Sequence, residues 1–180
     1  MTAIKYPLPL RLVHWARALI VLSALAIGAT MTLLADELPI KFETLYPWHK
    51  QLGVLALLFA TTQLVLRLFF RAPALPDALK PWEKVAAKVG HVGLNVLMVV
   101  VPVMGYGMSS SFEFSDGVPF FGTMLPELLP KSQIAFERFQ LLHKVLAYVL
   151  LALIVGHIAG ALKHRLFDRD PEADVLRRML

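Results

Sequence analysis

Long uninterrupted apolar runs, separated by short polar segments, dominate the chain. Each is close to the length of about 20 mostly apolar residues that crosses a bilayer as a helix. Because apolar and polar residues do not alternate within them, the runs favour helices over strands. The first run is long for a signal peptide and no A-x-A site follows it, so we expect it to be retained. The runs cover residues 18–35, 52–70, 89–108 and 139–162.

These runs predict an all-α fold, an integral membrane four-helix bundle formed by one domain over residues 1–180. The predicted spans cover about 12–35, 50–70, 89–108 and 139–165. The composition agrees, since 57% of the residues are hydrophobic and only 17% are charged, which is too apolar for an ordinary soluble domain. Cysteine is absent, which excludes disulfides, thiolate metal sites and covalent c-type haem attachment.

The distribution of basic residues predicts the orientation of the bundle. Four spans place both termini on one side of the membrane. Of the 18 Lys and Arg residues, only five fall in the loops on the other side, namely Lys41, Lys50, Lys131, Arg138 and Lys144. By the positive-inside rule both termini are cytoplasmic. The net charge of +5 therefore reflects topology in a lipid bilayer, and we expect no nucleic-acid partner.

Histidines are the main candidates for chemistry. The chain has six, His14, His49, His91, His143, His157 and His164. A histidine at a span boundary is usually an ordinary hydrogen-bonded residue. His157, however, lies well inside a span, where an ionisable group is costly and indicates function. His143 lies 14 residues before it, which is close to four helical turns, so both rings share a face about 21 Å apart.

The direction of each span sorts four histidines into two levels. His14 and His157 lie at an inner level towards the cytoplasm, whereas His49 and His143 lie at an outer level. Two imidazoles that face each other between helices are suited to be the axial ligands of a b haem. The pattern thus predicts two non-covalent b haems. Arg67, near the inner end of the second span, could pair with a haem propionate or be a snorkelling anchor.

Four segments of the chain resemble the prokaryotic cytochrome b561 family, and within it the superoxide oxidase-type dihaem cytochromes. They are "LRLVHWARAL", "WHKQLGVLALLFATTQLVLRLFFRAP", "GHVGLNVLMVVVPVMGYGM" and "LLHKVLAYVLLALIVGHIAGALKHRLF". The resemblance implies haem ligation by the same four residues, His14, His49, His143 and His157. It also implies a quinone site at His164, for which an ordinary boundary residue is the alternative. His91 could be a second quinone contact or a neighbour of the haem, but we expect it to be an ordinary residue.

Three functions are compatible with this pattern. In the first, a membrane oxidoreductase of the bacterial inner membrane takes electrons from superoxide on the periplasmic side and reduces ubiquinone near the cytoplasmic side. Lys50, Arg138 and Lys144 flank the outer histidines and could steer an anion. The same side also carries seven acidic residues, namely Asp36, Glu37, Glu43, Glu113, Asp116, Glu127 and Glu137, so any steering must be local.

In the second function, the chain is a quinone-linked cytochrome b subunit that takes electrons from a periplasmic partner protein or dehydrogenase. Its outer segment "FEFSDGVPFF" would then be a docking surface. In the third, the protein is a transporter or scaffold with incidental histidines, which the pairing of histidines at two levels argues against.

Overall fold

The computed structural model describes residues 5–115 and 117–180. Four long helices form the fold, α1 (Leu8–Leu33), α2 (Tyr46–Phe69), α3 (Pro81–Ser111) and α4 (Gln133–Leu166). All four are long and apolar enough to cross a membrane. The predicted four-helix membrane bundle is therefore confirmed, whereas the membrane face on which the termini lie stays a prediction.

The starts of the helices follow from local chemistry. Proline occupies the first turn of α1, α2 and α3, where its missing N–H removes no helical hydrogen bond. Ser132 caps α4 by accepting a hydrogen bond from the backbone N–H of Ala135. Glu83 similarly accepts the N–H of Lys80 at 2.9 Å. As a result α3 begins at Pro81, and residues 81–88 are continuous with the third apolar run.

The helices pack as two pairs. α1 lies along α2, α3 lies along α4, and α2 contacts α3 to join the pairs. The buried apolar core includes Val21 of α1, Ala60 of α2, Met98 of α3 and Leu150 of α4. Leu150 is midway between the two histidines of α4, so the core fills the space between the two predicted histidine levels.

A folded loop covers the outer end of the bundle. It contains a short antiparallel hairpin of β1 (Val118–Phe120) and β2 (Thr123–Leu125). The hairpin contacts the start of α2, where the backbone N–H of Phe121 donates to Gln51 Oε1 at 2.9 Å. Ser110, fully buried at the end of α3, accepts the N–H groups of residues 128 and 129 through its hydroxyl oxygen. Asp116 lies outside the described residues.

The two ends of the described chain meet at the inner end of the bundle. The Tyr6 N–H donates to the Arg178 carbonyl at 2.9 Å, and Trp15 Nε1 donates to the Met179 carbonyl at 2.9 Å. Arg178 Nη1 in turn donates to the Ala74 carbonyl in the connection between α2 and α3. The start of α1, this connection and the C-terminal segment therefore form one border of the protein, here called the inner border.

Fusion of a reporter after Leu180 tests the membrane orientation of this border. We expect a cytoplasmic reporter to be active and a periplasmic one to be inactive, because the inner border carries most of the basic residues. A reporter inserted after Glu113, which is exposed in the outer loop, is the matched control and should show the opposite result. Activity of the periplasmic fusion at Leu180 would invert the bundle and exchange the two levels.

Candidate functional site

On every helix, two residues 14 positions apart lie at the two histidine levels, one at the outer level and one at the inner level. Each helix contributes one residue to the outer level and one to the inner level, because 14 residues make nearly four complete turns. The pairs are His14 and Gly28 on α1, His49 and Gln63 on α2, His91 and Gly105 on α3, and His143 and His157 on α4.

At the outer level His49 of α2 faces His143 of α4. The two ring centres are 6.0 Å apart and the ring planes are nearly perpendicular. Nδ1 of His49 lies 3.0 Å from the Ala24 carbonyl oxygen, and Nδ1 of His143 lies 2.9 Å from the Val101 carbonyl oxygen. Because a carbonyl oxygen only accepts, each Nδ1 carries the proton and donates it. Nε2 of each ring then keeps its lone pair and can bind a metal.

Glycines make these hydrogen bonds sterically accessible. Gly28 follows Ala24 by four residues and Gly105 follows Val101 by four, so each glycine sits one turn beyond the carbonyl that accepts the imidazole. A helical side chain leans back over the preceding turn. A Cβ on Gly28 would lie 3.0 Å from Cε1 of His49, and a Cβ on Gly105 would lie 2.9 Å from Cε1 of His143. The absent side chains thus leave room for the two outer rings.

Gly105→Ala should displace the His143 ring by a few tenths of an ångström and weaken its bond to the Val101 carbonyl. We expect a changed absorption and paramagnetic resonance signal from the predicted outer haem, because a hydrogen bond to the second ring nitrogen orients a histidine ligand. The predicted inner haem, whose histidine lies about 21 Å away along α4, is the control within the same sample. Unchanged signals from both haems would mean that the glycine does not position this ring.

At the inner level the structure brings three histidines together. The ring centres of His14 and His157 are 6.2 Å apart, and those of His91 and His157 are 5.4 Å apart. His91, which we expected to be an ordinary residue, therefore contacts one member of the predicted inner pair. His14 Nδ1 and Gln63 Oε1 are buried and have no hydrogen-bond partner within the described part of the chain.

Both predicted pairs fit a planar macrocycle that binds iron. With metal–nitrogen bonds of about 2 Å and roughly 1.2 Å from a ring nitrogen to the ring centre, two imidazoles on opposite sides of one metal need centres about 6.4 Å apart. The observed separations are 6.0 and 6.2 Å. Across residues 5–115 and 117–180, no group of three or more potential ligands could hold a bare metal ion. Paired histidines instead suit a metal whose remaining ligands come from a porphyrin.

A cavity of about 440 Å³ opens beside the inner level, between the end of α2 and the start of α3. His91, Asn95 and Arg67 line it, together with Lys84 and Lys88. Arg67 thus lies at the inner end of α2 and close to the inner histidines, and its pairing with a haem propionate stays a prediction. Its side chain forms no ion pair with a carboxylate of the described residues.

His164 belongs to a charged cluster at the inner border. Its Nδ1 lies 2.6 Å from Oδ2 of Asp168, and Lys163 bridges Asp168 and Glu83 with two contacts of 2.7 Å. Hydrogen bonds from Lys163 and His164 hold the pKa of the Asp168 carboxyl below its usual range. Asp168 is therefore ionised at neutral pH and accepts the Nδ1 proton of His164, so that Nε2 is available to a ligand.

Sequence reasoning missed this cluster, although one of its contacts leaves a signal in the sequence. Asp168 follows His164 by four residues, a spacing that predicts a helical contact, so this signal was present. Glu83 and Lys163 lie 80 residues apart, and only the packing of α3 against α4 brings them together.

The three predicted steering residues lie around the outer level but differ in their surroundings. Arg138 and Lys144 are exposed on α4. Lys50 is partly buried at the start of α2 and lies near Glu127. Hydrogen bonds from the side chains of Lys131 and Ser115 lower the pKa of the Glu127 carboxyl, and the positive charge of Lys50 lowers it by a smaller amount. The ionised Glu127 therefore offsets part of the positive charge on that side.

Four membrane-spanning helices with facing histidines at two depths define a class of protein, the membrane-embedded b-type cytochromes. Comparison with known sequences gives the family. The family model for prokaryotic cytochrome b561 matches residues 5–180. The chain is also 31% identical over 172 residues to "Cytochrome b561 homolog 2" of Escherichia coli (strain K12), covering 93% of this chain and 86% of that protein. The chain therefore belongs to the prokaryotic cytochrome b561 family, whose members are multi-pass membrane proteins that transfer electrons by b-type haem.

Proposed function

We propose that this protein is a bacterial inner-membrane oxidoreductase that oxidises superoxide on the periplasmic side and reduces ubiquinone near the cytoplasmic side. The observation that carries the proposal is the presence of facing histidine pairs at both levels of the bundle. His49 and His143 would bind an outer b haem, and His14 and His157 an inner one. When bound, these cofactors supply one-electron redox chemistry.

The overall reaction balances with no further reactant. Two superoxide ions each lose one electron and become dioxygen. Ubiquinone gains both electrons and takes up two protons to become ubiquinol. The chain must therefore admit a small anion at its outer end, and must bind a quinone and deliver protons at its inner end.

The inner-border cluster supports a quinone site. His164 can donate Nε2–H to a quinone carbonyl only when its Nδ1 holds no proton or when the ring is cationic. Asp168 lies against Nδ1 and orients the ring, while Lys163 and Glu83 hold Asp168 in place. A proton given to the quinone from Nε2 can thus be replaced at the same ring from the cytoplasmic side.

Asp168→Asn tests this role of His164. We expect ubiquinol formation to slow by about tenfold, because a proton donor loses the carboxylate that orients its ring. His164→Ala should have the same effect. The lowered pKa of Asp168 means that its contact with His164 should persist on acidification until the pH falls through that lowered value.

The control for this variant is Asp77→Asn, which removes a fully exposed carboxylate at the same border. It should leave the rate unchanged, and all three variants should keep both haem spectra. Equal rates in Asp168→Asn, His164→Ala and the wild type would place the quinone elsewhere.

A second candidate function has its own observation. Phe114 and Phe121 of the outer loop are 82% and 56% exposed, and Trp48 contacts Phe121 edge to face. Exposed aromatic side chains of this kind are typical of a protein interface. The alternative is therefore a quinone-linked cytochrome b subunit that receives electrons from a periplasmic partner protein.

The purified full-length protein provides the direct test. We expect two extractable b haems per chain, both six-coordinate and low-spin. Superoxide should then reduce ubiquinone with no other protein present. One haem per chain, or none, would overturn the two-centre arrangement, whereas two haems without superoxide activity would favour the partner-protein alternative.

A further inference from the structure

Arg17 is a buried charge within an apolar span. Only 7% of the residue is exposed, and its Nη1 donates to Asn95 Oδ1 of α3 at 3.3 Å. No carboxylate among the described residues pairs with it. The apolar-run pattern gave no sign of this burial, because an arginine near the start of a span is usually a boundary residue.

A guanidinium at this depth needs a negative partner. Arginine stays protonated in proteins, and a charged side chain inside a membrane bundle persists only where it is paired or serves a function. Asn95 offers a dipole but no charge. Arg67 of α2 adds repulsion, because it is close enough to Arg17 for an unfavourable electrostatic interaction. The protein thus places two arginines together without the anion that would stabilise them.

The position of the arginines identifies where this anion must lie. Arg17 follows His14 by three residues and Asn95 follows His91 by four, so both lie about one turn from an inner-level histidine. Asn95 and Arg67 also line the cavity beside His91, whose ring contacts His157. The unpaired positive charge therefore surrounds the inner pair of histidines.

The outer level has no equivalent. The buried polar residues near that end are Lys41, which is paired with Asp36, and three serines at the end of α3. Arg138 is exposed at the protein surface. Within the described residues, buried arginine without a carboxylate partner is therefore a property of the inner level.

We propose that Arg17, oriented by Asn95, binds the propionate carboxylates of the inner haem together with Arg67 and raises the reduction potential of that haem above that of the outer one. This inference rests on the two-haem arrangement proposed above. A fixed positive charge favours the state that has gained an electron. The resulting order of potentials drives electrons from the outer level to the inner level, in the direction that quinone reduction requires.

Redox titration of the full-length protein in lipid nanodiscs, followed by visible spectroscopy, tests the proposal. In Arg17→Gln the equilibrium constant for reduction of the inner haem should fall about tenfold, which corresponds to about 59 mV for one electron. The outer haem should keep its potential. Arg17→Lys, which keeps the charge but loses the planar fork, should show a smaller shift. Arg71→Gln removes an exposed arginine from the same border and should change neither potential.

Haem dimethyl ester, in which both propionates are esterified, provides a second test that changes the haem itself. Reconstituted into the wild-type apoprotein, it should raise the inner potential, because it removes negative charge beside the iron. Arg17→Gln should then lower the potential by less than it does with native haem, because Arg17 is no longer held against a carboxylate. Additive effects of the ester and the mutation would overturn the proposal. A shift that follows the content of anionic phospholipid and ignores esterification would also overturn it and would assign the arginines to a lipid phosphate. Two bound haems whose potentials ignore Arg17 refute this inference alone, whereas a protein that binds fewer than two refutes the proposed function.

Discussion

His49→Ala and His143→Ala should each remove or disturb the same haem, the outer one, and reduce the haem content to about one per chain. His14→Ala and His157→Ala should act in the same way on the inner haem. The physical reason is that both axial positions of a low-spin b haem are occupied by protein ligands, so the loss of either ring leaves the iron with an open position. Haem extraction and low-temperature visible spectra of the four variants measure the effect.

His91→Ala is the matched control for this series. His91 shares the inner level and contacts the His157 ring, but it is not one of the four proposed ligands. We expect the variant to bind both haems with unchanged stoichiometry. Loss of one spectral component in both His14→Ala and His143→Ala, with the other component lost in His49→Ala, would contradict the pairing. If His91→Ala instead lost the inner haem, His91 rather than His14 would be the second ligand of that haem.

Much of the architecture was predictable because membrane helices leave a simple pattern in the sequence. Long apolar runs without alternation have few alternatives in a bilayer, where all backbone polar groups must be paired within the segment. The four runs therefore predicted four helices. The spacing of 14 residues between His143 and His157 similarly predicted two rings on one face of α4. Their role as haem ligands remains a prediction, although the geometry of both pairs fits it.

The features that the sequence did not reveal depend on contacts between helices. Gly28 and Gly105 are unremarkable in a membrane sequence, where glycine is common at helix contacts. Their importance appears only once the His49 and His143 rings are seen against them. Arg17 presents the same problem, because its burial depends on the approach of α3 and of Asn95. The outer hairpin was also missed, since its two strands have only three residues each and give no periodic signal.

The capture of superoxide should be electrostatically steered, so its rate should fall as salt screens the field of the outer face. Raising the ionic strength from about 0.01 M to about 0.1 M shortens the Debye length from about 30 Å to about 10 Å. We expect stopped-flow reduction of the haems by superoxide to slow by about tenfold over this range. Lys50→Gln, Arg138→Gln and Lys144→Gln should slow the reaction at low salt while both haem spectra stay intact.

Two further variants separate steering from a general effect of charge. Lys80→Gln removes a cation from the inner border and should not change the rate, because superoxide does not reach that side. Glu127→Gln removes an anion close to Lys50 and should increase the rate, since the remaining positive field at the outer level becomes stronger. Opposite effects of Glu127→Gln and Lys144→Gln, both lost at high salt, would support direct capture of the anion. Slow reduction that is independent of salt in the wild type would instead favour a donor protein bound at the aromatic surface of the outer hairpin, because a small anion would then have no favourable path to the outer histidines.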